Sequence, residues 1–395
     1  MKILYLTSRL PWPLDKGDKL RAYHQIRQLS ERHEVYLFSL TDKNPSSEDL
    51  GELRAITKDV KVFKLKTRVR LMRLLFALVS RRPFQLHWFY QRSAQKMLSR
   101  WIQHIEPDGI FCQLIRMAPY VQHAYHIPRI LDYMDALSAG IARQSKLAPW
   151  YLRWLYSIEF QRLRAYEGVI FDYFDGKMII SEADRKLIFH PESKLIQVVP
   201  NGIDTTHFSP QRVFEAKAKG HTILFTGNMS YPPNVDAAVQ LVNKIIPLLK
   251  TENVKVVIAG TNPAPPVRRL KSTSVEVTGW IRDIRDAYSK ADVFVAPLRI
   301  GTGQQNKILE AMSMQLPCVT TKHVLNGFPS QLDEHPPFIV ADSPTKMARE
   351  IDELFTDRGR RKELGELSRN WVSKNCNWQQ TTDILADTFV SYIKD

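Results

Sequence analysis

Ala296-Pro-Leu-Arg-Ile-Gly-Thr-Gly-Gln-Gln-Asn-Lys-Ile-Leu-Glu-Ala-Met-Ser-Met-Gln-Leu-Pro-Cys-Val-Thr-Thr321 is the stretch on which the fold of this chain turns. A short apolar run of strand length, residues 291–296, leads into it, and a second, residues 318–321, closes it. Between them stand a Gly-rich turn and apolar residues at helical spacing (Ile308, Ala311, Met312, Leu316), so the unit reads strand, turn, helix, strand. Thr302 followed by Gln305 fits a capping box and predicts a helix start near Gly303. A helix start offers free backbone N–H groups and the positive end of a dipole, which suit a phosphate.

On such a helix Gly303, Asn306, Lys307 and Glu310 share one side, over roughly 10 Å of axis from Gly303 to Glu310. That reach matches a diphosphate at one end and ribose hydroxyls at the other. Glu310 would accept from the hydroxyls, while Arg299 and Lys307 would neutralise phosphate. Spacing alone equally allows an ordinary βα unit with a Lys307–Glu310 surface pair.

Asn306-Lys-Ile-Leu-Glu-Ala-Met312, closed by Pro317-Cys-Val319, resembles the donor-site signature of the family 4 glycosyltransferases. The resemblance implies an α/β chain of GT-B fold, two Rossmann-like parallel-sheet domains facing a cleft. It implies a nucleotide sugar, UDP- or GDP-linked, as donor, and transfer with retention of anomeric configuration, with neither metal nor cofactor. In that family the second glutamate of a Glu-x7-Glu motif binds the ribose, and Glu310 matches it. The first would fall at Thr302, so no sugar-binding carboxylate is assigned there; the backbone of the turn, with Thr302, Gly303, Gln304 and Gln305, remains available to the donor.

A chain of 395 residues is too long for one ordinary core and fits two domains. With 56 Lys and Arg against 41 Asp and Glu the formal charge is +15, which implies an anionic partner. Three unclustered cysteines (Cys112, Cys318, Cys376) make neither a disulfide framework nor a metal site and suit a reducing cytosol. No signal peptide or membrane-spanning run is expected, so the protein should be cytoplasmic, soluble or peripheral on the inner face of the membrane.

The chain opens as a βαβ unit: residues 2–7 as a strand, a turn holding Pro11, Pro13 and Gly17, a helix, then a strand at 34–39. The turn resembles the glycine loop that faces the acceptor in family 4 enzymes, which makes Gly17 a candidate. Asp135 follows a predicted strand, where side chains of open sheets gather around ligands. Relatives often carry an acid or a histidine there, so Asp135 is the catalytic candidate of the first domain. An N-cap, at Asp135 or Ser138, is the equal alternative.

Residues 60–105 contain no Asp or Glu but eleven Lys and Arg, interleaved with apolar and aromatic side chains. Such a segment suits an anionic membrane surface; a packed hairpin with solvated charges is the rival reading, and nucleic acid the least expected anion. Residues 148–156, with Trp150 and Trp154, repeat the theme.

Pro200-Asn-Gly-Ile-Asp204, with Phe208 and Pro210, also resembles the family and reads as a hinge. Domains are therefore expected at residues 1–204 (acceptor) and 205–375 (nucleotide sugar), with a helix over 376–395 packing back on the first. In the second domain, Gly227 after a strand permits close backbone approach. The loop to Asn234, with a helix from Val235, carries Asn228 and Asn234 where many relatives have Arg and Lys. Trp280 and Ile281 lie in a segment resembling the edge of the nucleotide-base site; Trp280 is read as core in preference to base-stacking. The acceptor, lipid-linked or saccharide, and the pathway, cell-surface polysaccharide or glycolipid synthesis, are implied only in outline. A basic, non-catalytic protein reusing this fold on an anionic surface is the alternative.

Overall fold

The computed structural model describes residues 1–210, 220–300, 304–325, 327–328 and 336–393. The chain divides into two compact units, Met1–Asn201 with Trp378–Asp395, and Gly202–Asn377.

The first unit is built on seven parallel strands: β1 (Lys2–Thr7), β2 (Glu34–Thr41), β3 (Asp59–Lys64), β4 (Gly109–Gln113), β5 (Arg129–Asp132), β6 (Gly176–Ile179) and β7 (Gln197–Val198). Their order is β3-β2-β1-β4-β5-β6-β7. Ile3 pairs with Val35 on one side and Gly109 on the other, and β1 is apolar on both faces because helices cover both. Those helices are α1 (Gly17–Ser30), α2 (Ser47–Ala55), α3 (Thr67–Val79), α4 (Phe84–Phe89), α5 (Arg92–Ile105), α6 (Leu137–Leu147), α7 (Arg153–Val169) and α8 (Glu182–Arg185).

The second unit repeats the plan with β8 (His221–Thr226), β9 (Val254–Ala259), β10 (Val275–Gly279), β11 (Val293–Ala296), β12 (Cys318–Thr320) and β13 (Ile339–Val340), ordered β10-β9-β8-β11-β12-β13. Its helices are α9 (Pro232–Gln240), α10 (Pro265–Arg268), α11 (Arg285–Lys290), α12 (Asn306–Ser313), α13 (Lys322–Leu325), α14 (Pro344–Thr356) and α15 (Arg358–Asn375). The last helix, α16 (Trp378–Ile393), packs on the first unit. Leu385 and Phe389 join the core of Ile3, Tyr5 and Phe111, and Trp378 stacks on His24 at 4.9 Å. A Cβ on Gly109 would lie 2.7 Å from the Phe389 ring, so only glycine lets the helix seat there.

Two features of the first unit depart from expectation. Residues 60–64 belong to β3, hydrogen-bonded along β2, and α5 turns Ala94, Leu98, Trp101 and Ile105 into the core. The acid-free segment is therefore not one surface; only α3 turns a row of apolar side chains outward. A buried ion pair also ties the unit together: Arg21 Nε lies 2.6 Å from Asp132 Oδ2, both side chains fully buried, and Arg21 Nη1 donates to Asn201 Oδ1 at 2.9 Å. No helix among the described residues is long and apolar enough to cross a membrane.

Candidate functional site

In the second unit the chemistry collects where β8, β9 and β11 end, as the topology of an open parallel sheet directs. Gly227 ends β8 with φ +150°, and Gly260 ends β9 with φ +145°. A Cβ on Gly260 would fall 1.7 Å from the Gly227 carbonyl oxygen, so the two strand ends approach as only glycine allows. A Cβ on Gly227 would lie 2.7 Å from Asn234 Nδ2 and 3.1 Å from Lys307 Nζ. The amide of Asn234 and the ammonium of Lys307 thus pack directly against the Gly227 backbone, closer than any side chain there would allow.

Each bounding group is held. Asn234, buried, donates from Nδ2 to the Asn228 carbonyl at 2.9 Å and accepts at Oδ1 from Lys307 Nζ. Asn228 shapes the turn by accepting from the Ser230 N–H and hydroxyl at 3.0 and 2.8 Å. α9 starts at Pro232, three residues before the expected Val235; proline at the first helical positions sacrifices no hydrogen bond there. Asn234 is consequently a helix residue of fixed direction.

α12 carries Lys307 and Glu310 on one side, one turn apart. Its start is Asn306, later than the expected Gly303, and the flanking Gln305 makes no side-chain cap. Thr302 and Gly303 lie outside the described residues. Lys307 Nζ sits 5.2 Å from the centre of the Phe225 ring, and burial lowers its pKa to about 8, against the opposing pull of Glu310. Glu310 accepts from the Tyr288 hydroxyl at 2.8 Å, and that hydroxyl also lies 2.9 Å from Thr226 Oγ1. Burial raises the Glu310 pKa, and the Tyr288 bond and Lys307 counter it. Its Oε1 has no partner among the described residues. An ammonium packed on a glycine backbone, with a carboxylate oxygen one turn away, can bind an anion next to a pair of hydroxyls.

The other expected residues scatter. Arg299 is turned onto Asp236 of α9 in a two-bond pair (3.1 and 2.6 Å), so its charge is locally matched. Gln304 is buried, with Nε2 3.9 Å from Cys376 Sγ. Trp280 is 70% exposed, which overturns its reading as core: it follows β10 where the strand leaves the sheet, and Ile281 packs inward instead. Tyr288 and Gly260 were not expected. A glycine ending β9 as Gly227 ends β8 was the available signal for Gly260; nothing local marks Tyr288.

In the first unit a second polar group forms beyond β1, β4, β5 and β6. Asp135 Oδ1, Asp184 Oδ1, Arg116 Nε and Arg143 Nη2 are buried without hydrogen-bond partners among the described residues. Burial, then Asp184, push the Asp135 pKa up to about 7, with Arg116 and Arg143 opposing. Asp135 caps no helix: the flanking residue of α6 is Ala136, and Glu167 takes the capping role by accepting from the Ser138 N–H and hydroxyl at 2.9 and 2.5 Å. Gly17 opens α1, exposed, and the adjacent Asp18 carbonyl accepts from Gln113 at the end of β4 (2.9 Å), which draws that turn to the same end of the sheet.

Comparison with known proteins agrees with this geometry. Residues 220–357 match the family model described as glycosyl transferases group 1. No curated protein sequence matched the chain. Among solved structures, a glycosyltransferase from Rickettsia africae is 13% identical, with a TM-score of 0.70 over 100% of this chain and 99% of that one. HepE of Anabaena, solved with UDP-glucose, is 15% identical, with a TM-score of 0.69 over 99% and 100%. WaaG, a glycosyltransferase involved in lipopolysaccharide biosynthesis, is 12% identical, with a TM-score of 0.64 over 98% and 99%. Residues 220–357 thus match the group 1 glycosyl transferase family model, within a chain that has the fold of the GT-B glycosyltransferases.

Proposed function

We propose that the chain transfers a sugar from a UDP- or GDP-linked donor, bound by the second unit, to a lipid-linked acceptor, in synthesis of a cell-surface polysaccharide or glycolipid. The observation that carries the donor half is the grouping of Gly227, Asn234, Lys307 and Glu310. Lys307 meets the diphosphate, Gly227 lets Lys307 and Asn234 sit close against the strand end, and Glu310, steadied by Tyr288, accepts from the ribose. Trp280, exposed beyond β10, is available to stack on the base. HepE, solved with UDP and with UDP-glucose, supports a nucleotide sugar as the ligand class.

Transfer proceeds with retention and without a metal. The acceptor oxygen attacks the anomeric carbon, the bond to the diphosphate breaks, and the leaving diphosphate takes the electron pair and the acceptor proton. Lys307 and backbone N–H groups stabilise the charge that develops there. Asp135, among its unpartnered neighbours, holds the acceptor sugar by its hydroxyls. The acceptor is lipid-linked because α3 exposes Leu71, Met72, Leu75, Phe76, Leu78 and Val79 beside Arg68, Arg81 and Arg82, which make no ion pair among the described residues. That combination suits the inner, anionic leaflet and a peripheral protein.

A panel of UDP- and GDP-sugars supplies the test. Turnover of one of them, by transfer or slow hydrolysis, is the expected result; binding without any turnover would favour a non-catalytic surface protein.

A further inference from the structure

Within the first unit, α3 and α7 face each other across a cavity of about 540 Å³, inside the range of roughly 300–1,000 Å³ in which small-molecule sites fall. Leu71, Leu74, Leu75 and Leu78 line one wall, and Leu155 and Tyr156 the other. Three of these leucines are also among the most exposed apolar residues, Leu71 at 56%, Leu75 at 69% and Leu78 at 57%. The cavity therefore opens on the outward face of α3. The opening thus joins α3, from the acid-free segment 60–105, to Leu155 and Tyr156, the last residues of the apolar patch at 148–156.

The wall presents almost only hydrocarbon. Glu159, the one carboxylate in the wall, accepts from the Phe84 and Gln85 N–H groups at 2.6 and 3.1 Å and so caps α4. Arg162 donates to the Ala77 carbonyl at 2.7 Å, where α3 ends, and its guanidinium covers the Phe84 ring at 4.9 Å. What remains inside is hydrocarbon, so an occupant with polar groups along its length would lose hydration without replacement. The segment leading into the wall is positive: Arg81 and Arg82, exposed, directly precede Pro83 and the lining residue Phe84.

We infer that this cavity takes up a single hydrocarbon chain whose anionic headgroup rests on Arg81 and Arg82. The inference deepens the lipid-linked acceptor proposed above and rests on it: the cavity would draw one chain out of the leaflet and fix the lipid while its sugar is glycosylated.

The test is calorimetric titration of the full chain with single-chain alkyl phosphates of increasing length, each below its critical micelle concentration. Affinity should rise about fourfold for each methylene taken up, then level off once the cavity is full. Alkyl maltosides of equal length should bind more weakly, for want of the anionic head. Leu155→Trp and, separately, Leu74→Trp should abolish the length dependence while leaving nucleotide binding unchanged. Affinity independent of chain length in the unmodified protein would overturn the inference, whether or not either variant folds. Binding to anionic vesicles with no alkyl phosphate binding would leave the membrane reading standing and remove the cavity's role. Alkyl phosphate binding without vesicle binding would do the reverse. A concentration-dependent dimer that Leu75→Glu dissociates, again without alkyl phosphate binding, would assign the opening to a second copy of this chain and overturn the inference.

Discussion

Lys307 and Asp135 are candidate site residues whose protonation the structure sets near neutrality. Lys307, with its pKa lowered to about 8, is charged below that value and neutral above it. Affinity for a nucleoside diphosphate should therefore decline as pH rises through about 8, and Lys307→Arg should flatten the decline. At neutral pH, Lys307→Ala forfeits a charge-assisted bond of about 1.5–3 kcal/mol, so the diphosphate should bind tenfold or more weakly while the free nucleoside barely changes. Equal losses for both ligands would mean that Lys307 does not touch phosphate. Arg299→Ala should cost less, because Asp236 already matches that charge. For Asp135 the sign runs the other way: a carboxyl raised to about 7 in the fold, against about 3.9 when unfolded, binds its proton more tightly when folded. Its contribution favours the fold at low pH and fades between about 4 and 7. Asp135→Asn should accordingly raise the melting temperature at pH 8 relative to the parent and lower transfer; an unchanged melting temperature across that range would contradict the assigned environment. Glu310 and Lys307 could be read from the sequence because one helical turn separates them. Tyr288 could not, since only the fold brings residue 288 to residue 310.

At the scale of elements, the acid-free segment shows how composition misleads. Eleven basic residues in a row of 46 suggested one surface, yet the strand β3 pairs along β2 and the helix α5 turns Ala94, Leu98, Trp101 and Ile105 into the core. Arg70 is buried, 2.5 Å from Asp42 and 4.6 Å over the Trp88 ring, and Arg73 donates to the His87 carbonyl at 3.2 Å. Both hold structure. The strand was hidden because β3 is an edge strand with only partly buried residues, so its alternation is faint. Beside the exposed apolar row of α3, membrane attraction is thus expected from Arg68, Arg81 and Arg82 rather than from Arg70 and Arg73. At about 1 kcal/mol each, Arg68→Gln, Arg81→Gln and Arg82→Gln together should weaken binding to anionic vesicles about a hundredfold at low salt. The parent's binding should itself fall steeply with added salt. A parent protein that ignores such vesicles at low salt would end the membrane reading.

For the whole molecule, strand runs such as 2–7, 221–226 and 254–259 were plain in the sequence because strands buried on both faces must be continuously apolar. Long-range pairs were not. Arg21 and Asp132, 111 residues apart, are buried together, and Arg21 Nη2 has no hydrogen-bond partner among the described residues. Breaking one side of such a pair leaves an uncompensated charge, so Asp132→Leu should cost about 3–5 kcal/mol, whereas Arg21→Met with Asp132→Leu should recover much of it. Additive losses in the double variant, measured by denaturant unfolding, would show that the pair is not coupled.

The central claim is that the second unit holds a nucleotide-sugar donor with Glu310 on its ribose, and one titration addresses it: UDP and GDP added to the parent chain and to Glu310→Ala. One of the two nucleotides should bind the parent, and the variant, still folded, should bind it more than tenfold more weakly, the loss of a charge-assisted hydrogen bond of about 1.5–3 kcal/mol. An unchanged dissociation constant in the folded variant, or no binding of either nucleotide by the parent, would contradict the account.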